Sequence, residues 1–404
     1  MRYLSSEVPR LLRDERKMAF IAGPRQVGKT TFARSLLKTA GQDLNYFNWD
    51  VESQRKAVLS HPESFWSSPS SGHCARIVLD EVHKYPRWKR FLKGLYDAAG
   101  AETEMIVTGS GRLDVYQRGG DSLFGRYGLY RLHPFTLGEL LSPSRLSVRE
   151  PRDFWREVLE NPASPQAERF LADIERLTGF PEPLFSGNER RLRRWRSARR
   201  HLIIREDLRD LTQIRDIGLL EVLASLLPER VGSPLSLNAL SEDLGVAFGT
   251  VRSWVETLGR LYYLFELRPY SGRLARTLRR EAKIYLFDCS EIADPGARFE
   301  NLVALHLRKF CDALNDWGIG DFDLHYVRDK EKREVDFLVT EGRRPYLLLE
   351  AKLSVQDPSS HLRYFSDRLK PAYAVQLSRQ EPPRGPKKIQ GIHLMGAARF
   401  LSRI

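Results

Sequence analysis

Two short stretches of this chain carry residue types that can hold a chain of phosphates. The first is Gly23-Pro24-Arg25-Gln26-Val27-Gly28-Lys29-Thr30, which fits G-x-x-x-x-G-K-[ST] at every fixed position. The two glycines let the backbone bend until successive N–H groups converge on phosphate oxygens. An apolar run at 17–22 precedes the loop and a helical pattern at 30–38 follows it. The loop therefore opens a helix, whose N-terminal dipole favours an anion. Lys29 is placed to reach β- and γ-phosphates, Thr30 to hold Mg²⁺, and Thr31 lies next to them. The second stretch, Arg76-Ile77-Val78-Leu79-Asp80-Glu81, is an apolar strand ending in two carboxylates. Asp80 suits a share of the Mg²⁺. Glu81, one residue further on, suits a base for attacking water. The bland alternative is that the pair caps the next helix. Met105–Ser110 ends in Thr108 and Ser110, which either sense the γ-phosphate or form an ordinary strand exit. Arg126 is either an arginine finger, acting in cis or toward a second copy of the chain, or a solvated arginine.

These residues need a scaffold, and the apolar pattern supplies one. Runs at 17–22, 44–49, 76–79, 104–107 and 127–132 alternate with helical patterns. That spacing predicts an α/β fold with a buried, mostly parallel sheet. From Pro134 the pattern turns helical, broken by Pro143, Pro151, Pro162 and Pro165. Ser236–Gly245 and Thr250–Leu258 read as two helices joined by a short turn, with Val251, Val255 and Leu258 inward. Leu261–Leu267 would follow as a wing. This is helix-turn-helix grammar, which either contacts DNA or simply joins domains. Strands return from Lys283. The expected division is 1–135 for the phosphate-binding domain, 136–235 for a helical lid or linker, 236–275 for a winged-helix-like module and 276–404 for an α/β domain.

The 404 residues carry 65 Lys plus Arg against 52 Asp plus Glu, a net +13. At 42% apolar the chain is too rich in core-forming residues to be disordered. No run reaches the ~20 apolar residues of a membrane helix. The N-terminal segment lacks the apolar core of a signal peptide. Cys74, Cys289 and Cys311 form no paired framework, which leads us to expect a cytoplasmic protein. The surplus of arginine points to DNA or RNA as a partner. Its densest part is Arg190–Arg200, which either tracks a phosphate backbone with Trp195 free to stack, or is a solvated helix face with Leu192 and Trp195 inward.

The segments 21–37, 77–88, 106–116 and 123–140 together resemble the prokaryotic AAA-type ATPases, on the AAA+/STAND side of the P-loop class. The resemblance continues through Gly179–Glu182, Arg205–Asp207 and Glu334–Phe337, and so covers nearly the whole chain. It implies ATP and Mg²⁺ as cofactors and ATP hydrolysis. It also implies a C-terminal domain of unknown function similar to restriction-type nucleases.

The residues at that C-terminal site can be placed independently. Arg333–Val339 and Tyr346–Lys352 flank a turn at Glu341–Pro345. A hairpin centred near Arg343 sets Asp336 opposite Glu350 and Glu334 opposite Lys352, all on one face. Asp followed by Glu-x-Lys on a hairpin is the constellation of restriction-type nucleases, where carboxylates hold a divalent ion and the lysine orients water. The resemblance adds an acid from a preceding helix, and Glu300 is in position for it. A second divalent metal is therefore expected here. The alternative is an exposed salt-bridge ladder. His83 and His306 lack ligand-spaced companions and read as structural.

Overall fold

Met18–Ala22 (β1) is five residues long and buried throughout, as a strand inside a two-sided parallel sheet must be. The computed structural model describes residues 2–67, 74–99, 103–109, 123–142, 151–160, 162–207, 216–271 and 281–404, excepting the side chains of 151–154, 156, 206 and 207. The chain divides into two compact units, Met1–His133 and Pro134–Ile404.

In the first unit, β1 leads through the glycine loop into α1 (Lys29–Thr39). Then come β2 (Tyr46–Asn48), β3 (Ala75–Asp80), α2 (Trp88–Ala99), β4 (Thr103–Thr108) and β5 (Tyr127–Arg131). The sheet order is β2-β3-β4-β1-β5, and every pairing is parallel. Each apolar run read as a strand is one. Phe20, Ile77, Leu79, Met105 and Val107 meet Trp49, Trp88 and Leu92 in one core. Burying each such side chain is worth ~1.5–3 kcal/mol. Thr108 stands opposite both Asp80 and Ile21, so the carboxyl ends of β1, β3 and β4 lie side by side. This end of an open parallel sheet is where ligands bind.

The second unit begins helically. Its elements include α3 (Glu189–His201), α4 (Leu237–Leu244) and α5 (Phe248–Arg260). The Ser236 side chain caps α4, and Gly245, at φ 65°, closes it. Val251, Val255 and Leu258 are buried on α5 as expected. On its outer face Arg252 is held by Glu256 at 3.0 Å. The strand after α5 corrects the expected wing. β6 (Leu264–Pro269) pairs antiparallel with β7 (Lys283–Leu286) but also parallel with β8 (Phe322–Arg328). It is thus a member of the large C-terminal sheet.

Between β7 and β8 lies α6 (Pro295–Asp316). β9 (Glu334–Glu341), β10 (Arg344–Lys352), α7 (Ser360–Leu369), β11 (Tyr373–Ser378), β12 (Lys387–Ile389) and β13 (Ile392–Gly396) complete the unit. The sheet order is β12-β13-β11-β10-β9-β8-β6-β7. β8, β9 and β10 form an antiparallel meander, and α7 crosses over to place β11 parallel to β10. Leu347, Leu348 and Leu349 face Val339, Leu338 and Phe337. Continuing that register sets Glu350 against Asp336, as the sequence led us to expect. A slip at Pro345 shortens the turn to Gly342–Arg343.

Candidate active site

The loop after β1 is built around two glycines for separate reasons. Gly23 passes so close to β5's exit that a Cβ there would sit 2.3 Å from the Leu132 carbonyl oxygen. Gly28, at φ 97°, turns the chain into α1. Both conformations exclude ordinary side chains. Gln26 also adopts the left-handed region, at φ 63°. The Lys29 ammonium folds back on the carbonyls of Gly23 and Pro24, at 3.0 and 2.9 Å. A phosphate is a stronger acceptor for an ammonium than two neutral carbonyls, so Lys29 is poised to exchange them. Val27 is fully buried beneath the loop, whereas Thr30 and Thr31 are exposed.

The carboxylates complete this end of the sheet. Asp80 is buried; its Oδ2 accepts from the Thr30 hydroxyl at 2.8 Å and its Oδ1 from the Thr108 hydroxyl. Three residues, 50 and 28 positions apart in sequence, thus meet at one carboxylate. Glu81 follows in the left-handed region, at φ 58°, its N–H held by the Thr108 carbonyl at 3.0 Å. Such strain in a non-glycine residue costs of order 1–3 kcal/mol and gathers at functional sites. Burial pushes the Glu81 carboxyl above its ordinary range, and the nearby Lys29 charge partly offsets this. His83 lies 3.5 Å from Glu81 and is buried. Ser110 lies outside the described residues.

Residues 15–141 match the AAA domain family model. That match and the loop geometry together make the first unit a P-loop domain of AAA type. Residues 176–292 and 295–393 match two further models, each described as a domain of unknown function (DUF8612 and DUF4143). Uncharacterized protein Rv2008c of Mycobacterium tuberculosis is 24% identical over 345 residues, 81% of this chain and 69% of its own length. Uncharacterized protein MJ1637 of Methanocaldococcus jannaschii is 22% identical over 387 residues, 87% of this chain and 78% of its own. Among solved structures, Aeropyrum pernix ORC1 in complex with DNA aligns over 75% of this chain and 91% of its own, at 16% identity and TM-score 0.32. AMPPCP-bound DnaA from Aquifex aeolicus aligns over 63% and 86%, at 14% identity and TM-score 0.29. Superpositions that loose say nothing of function.

Arg126 stands elsewhere. It precedes the first residue of β5, which pairs with Met18, while the phosphate loop leaves the far end of β1. Five residues at ~3.3 Å put about 16 Å between them, beyond the reach of one side chain. A finger acting in cis is therefore ruled out. Arg126 instead pairs with Asp97 of α2 at 2.8 Å.

In the second unit the hairpin acids do converge with Glu300 of α6. Burial, together with the charges of Glu300 and Glu350, pushes Asp336 up to about 8. Its Oδ2 accepts from the Ala351 N–H at 2.9 Å. Glu350 is buried, paired with Lys352 at 2.7 Å and bonded by the Ser359 hydroxyl. Glu300 accepts from Tyr285 at 2.7 Å. The expected second divalent ion is not shown. Among the described residues no group of three or more His, Cys, Asp or Glu is arranged to hold a metal. The buried Lys283 ammonium instead lies 2.6 Å from Glu334 and 3.5 Å from Glu300. A cleft of about 510 Å³, lined by Pro234, Glu281, Tyr326, Arg328 and Asp329, adjoins this network through Arg328, which pairs with Glu334 at 3.1 Å.

Several contributors escaped the sequence. Tyr46 donates its hydroxyl to Asp80 Oδ2 at 2.5 Å, with the Arg34 guanidinium 3.9 Å above its ring. Burial and Asp80 together push that hydroxyl's pKa up. Arg2 is buried and donates to the Val27 carbonyl at 2.9 Å and to the His133 carbonyl, fastening the loop from behind. Nothing local marks either residue. Lys283 did leave a signal, since it heads the apolar strand Lys283–Leu286. The reading of Trp195 as a free stacking platform is also corrected: it is 4% exposed and packs on Phe180. His306 is buried, and burial lowers its pKa to about 3, so it is neutral. Its ring accepts from the Leu137 N–H, a structural role.

Proposed function

We propose that the protein is an Mg²⁺-dependent ATPase whose first unit controls a C-terminal nuclease-like, nucleic-acid-binding half. The observation that carries this reading is the meeting of Thr30, Thr108 and Asp80 beside Lys29 and Glu81. The loop N–H groups and Lys29 bind the phosphates. Thr30 and Asp80 supply hard oxygen donors, already 2.8 Å apart, which fit Mg²⁺. When bound, Mg²⁺ neutralises charge on the β- and γ-phosphate oxygens. Glu81 takes a proton from the water that attacks the γ-phosphorus while the bond from that phosphorus to the ADP oxygen breaks, and burial, by raising its pKa, makes it a stronger base. Thr108 holds Asp80 in place and reports the state of the γ-phosphate. Arg126 serves a second copy of the chain, because it cannot reach its own phosphate site.

For the C-terminal half, the succession of α6, three antiparallel strands, crossover helix and parallel strand supports a restriction-type nuclease fold. We assign Glu300, Asp336, Glu350 and Lys352 to the site of that fold. Among the described residues no group of carboxylates is arranged to hold a metal, and we propose no cleavage by this half. Lys283, a fixed cation among them, favours a unit that binds nucleic acid without cutting it. Two variants test the ATPase reading. Lys29→Ala should weaken nucleotide binding at least tenfold in a fluorescent-nucleotide titration, about 1.4 kcal/mol or more. Arg126→Ala should bind nucleotide normally yet lose turnover. Unchanged binding in the lysine variant would contradict the site.

A further inference from the structure

The outward face of α3 is a strip of like charge with nothing to balance it. Arg190, Arg191, Arg193 and Arg194 are all exposed, and among the described residues no ion pair involves any of them. The helix has one acid, Glu189, and it turns to Arg176 at 3.4 Å. Other helices of the chain place an acid four residues from a base, as in Arg252–Glu256 at 3.0 Å and Arg308–Asp312 at 2.9 Å. Here Arg190 and Arg194 stand at that spacing with like charge, which is unfavourable. The inner face is firmly fixed. Leu192 and Trp195 are buried, and the Arg199 guanidinium lies 4.4 Å from the Phe180 ring centroid and donates to the Tyr262 carbonyl at 3.3 Å. The strip is therefore held in place before any partner arrives.

Just before α3 in the chain is an aromatic ring left in solvent. Phe185, in the short helix Pro181–Ser186, is 66% exposed and touches Phe135 edge-on at 5.2 Å between centroids. Only Gly187 and the capping residue Asn188 separate that helix from α3.

We propose that α3 and Phe185 form a binding surface for single-stranded nucleic acid. The arginines take the phosphates and Phe185 stacks on a base. The proposal deepens the nucleic-acid part of the reading above, but it rests on α3 and Phe185 and not on ATP hydrolysis. The chemistry favours this partner over others. All four charges are guanidinium groups, whose planar fork suits phosphate oxygens two at a time. A membrane surface would need large apolar residues facing outward along the helix, and those of α3, Leu192 and Trp195, face inward. A duplex would bury its bases away from Phe185, whereas a single strand offers a π-face at every base.

The test is fluorescence anisotropy of the full chain with a labelled oligothymidylate, without nucleotide, between roughly 50 and 200 mM salt. The parent should bind with a strong salt dependence. Changing the four arginines to Ala should flatten the log–log slope by up to about 3, at ~0.7 per lost phosphate contact. Phe185→Ala should weaken binding about tenfold at every salt concentration and leave the slope alone. Phe185→Trp should restore it. Because all five side chains are exposed, melting temperatures should stay at the parent value, and a shared drop would overturn the reading. So would equal slopes for the parent and the arginine variant, tighter binding of a duplex, or binding of polyglutamate in place of the oligonucleotide. Absence of ATP turnover by the parent, with oligonucleotide binding intact, would remove the ATPase reading and leave this one standing.

Discussion

At the scale of single residues, Asp80 gathers three side-chain donors. Thr30, Thr108 and Tyr46 all donate to its two oxygens. Thr30 and Asp80 were legible from spacing, because a phosphate loop and an acid-ended strand are local patterns; Thr108 was legible only as a candidate γ-phosphate sensor, not as a partner of Asp80. Tyr46 was not, since it lies 34 residues before Asp80 and joins it only through the pairing of β2 with β3. A donor aimed at a metal-holding carboxylate fixes its rotamer, and such partners typically matter by 10–100-fold in metal affinity. Tyr46→Phe should therefore raise the Mg²⁺ concentration for half-maximal turnover by about tenfold, with little change in nucleotide affinity at saturating Mg²⁺. An unaltered Mg²⁺ requirement alongside a lowered melting temperature would make Tyr46 a packing residue only.

At the scale of elements, the hairpin of β9 and β10 shows what periodicity can and cannot give. A side-chain period of two and one turn were enough to set Asp336 opposite Glu350. The slip at Pro345 was invisible, because it depends on local backbone geometry. Lys283 was missed because β7 reaches the hairpin by way of β6 and β8, an order that local pattern does not encode. The same limit turned β6 into an expected wing. Trp195 faces inward because it falls on the same helical face as Leu192 and Arg199, a bland reading that the pattern also allowed. The crowded acids make a pH prediction. Asp336 titrates near 3.8 when unfolded and about 8 in the fold, so between those values the folded form holds the extra proton. Its contribution is a loss of stability as pH rises from ~4 to ~8. Asp336→Asn keeps an acceptor for the Ala351 N–H and removes the titration. Thermal melts of the second unit should accordingly fall less steeply with pH in the variant than in the parent. Parallel curves would show that the carboxyl is not perturbed.

At the scale of the whole molecule, the chain joins an AAA domain match at 15–141 to matches of unassigned function at 176–292 and 295–393. Among the described residues no helix is long and apolar enough to cross a membrane. The net charge of +13 suits a polyanionic partner, though it does not say where one binds. We propose that the first unit hydrolyses ATP with Glu81 as base. Steady-state phosphate release by the parent and by Glu81→Gln tests it most directly. The parent should release phosphate in an Mg²⁺-dependent reaction. The variant should bind ATP as tightly yet turn over at least a hundredfold more slowly, the ~10²–10⁴ contribution of a general base. Equal phosphate release by the two proteins, or none by the parent with Mg²⁺ and nucleic acid both supplied, would contradict it.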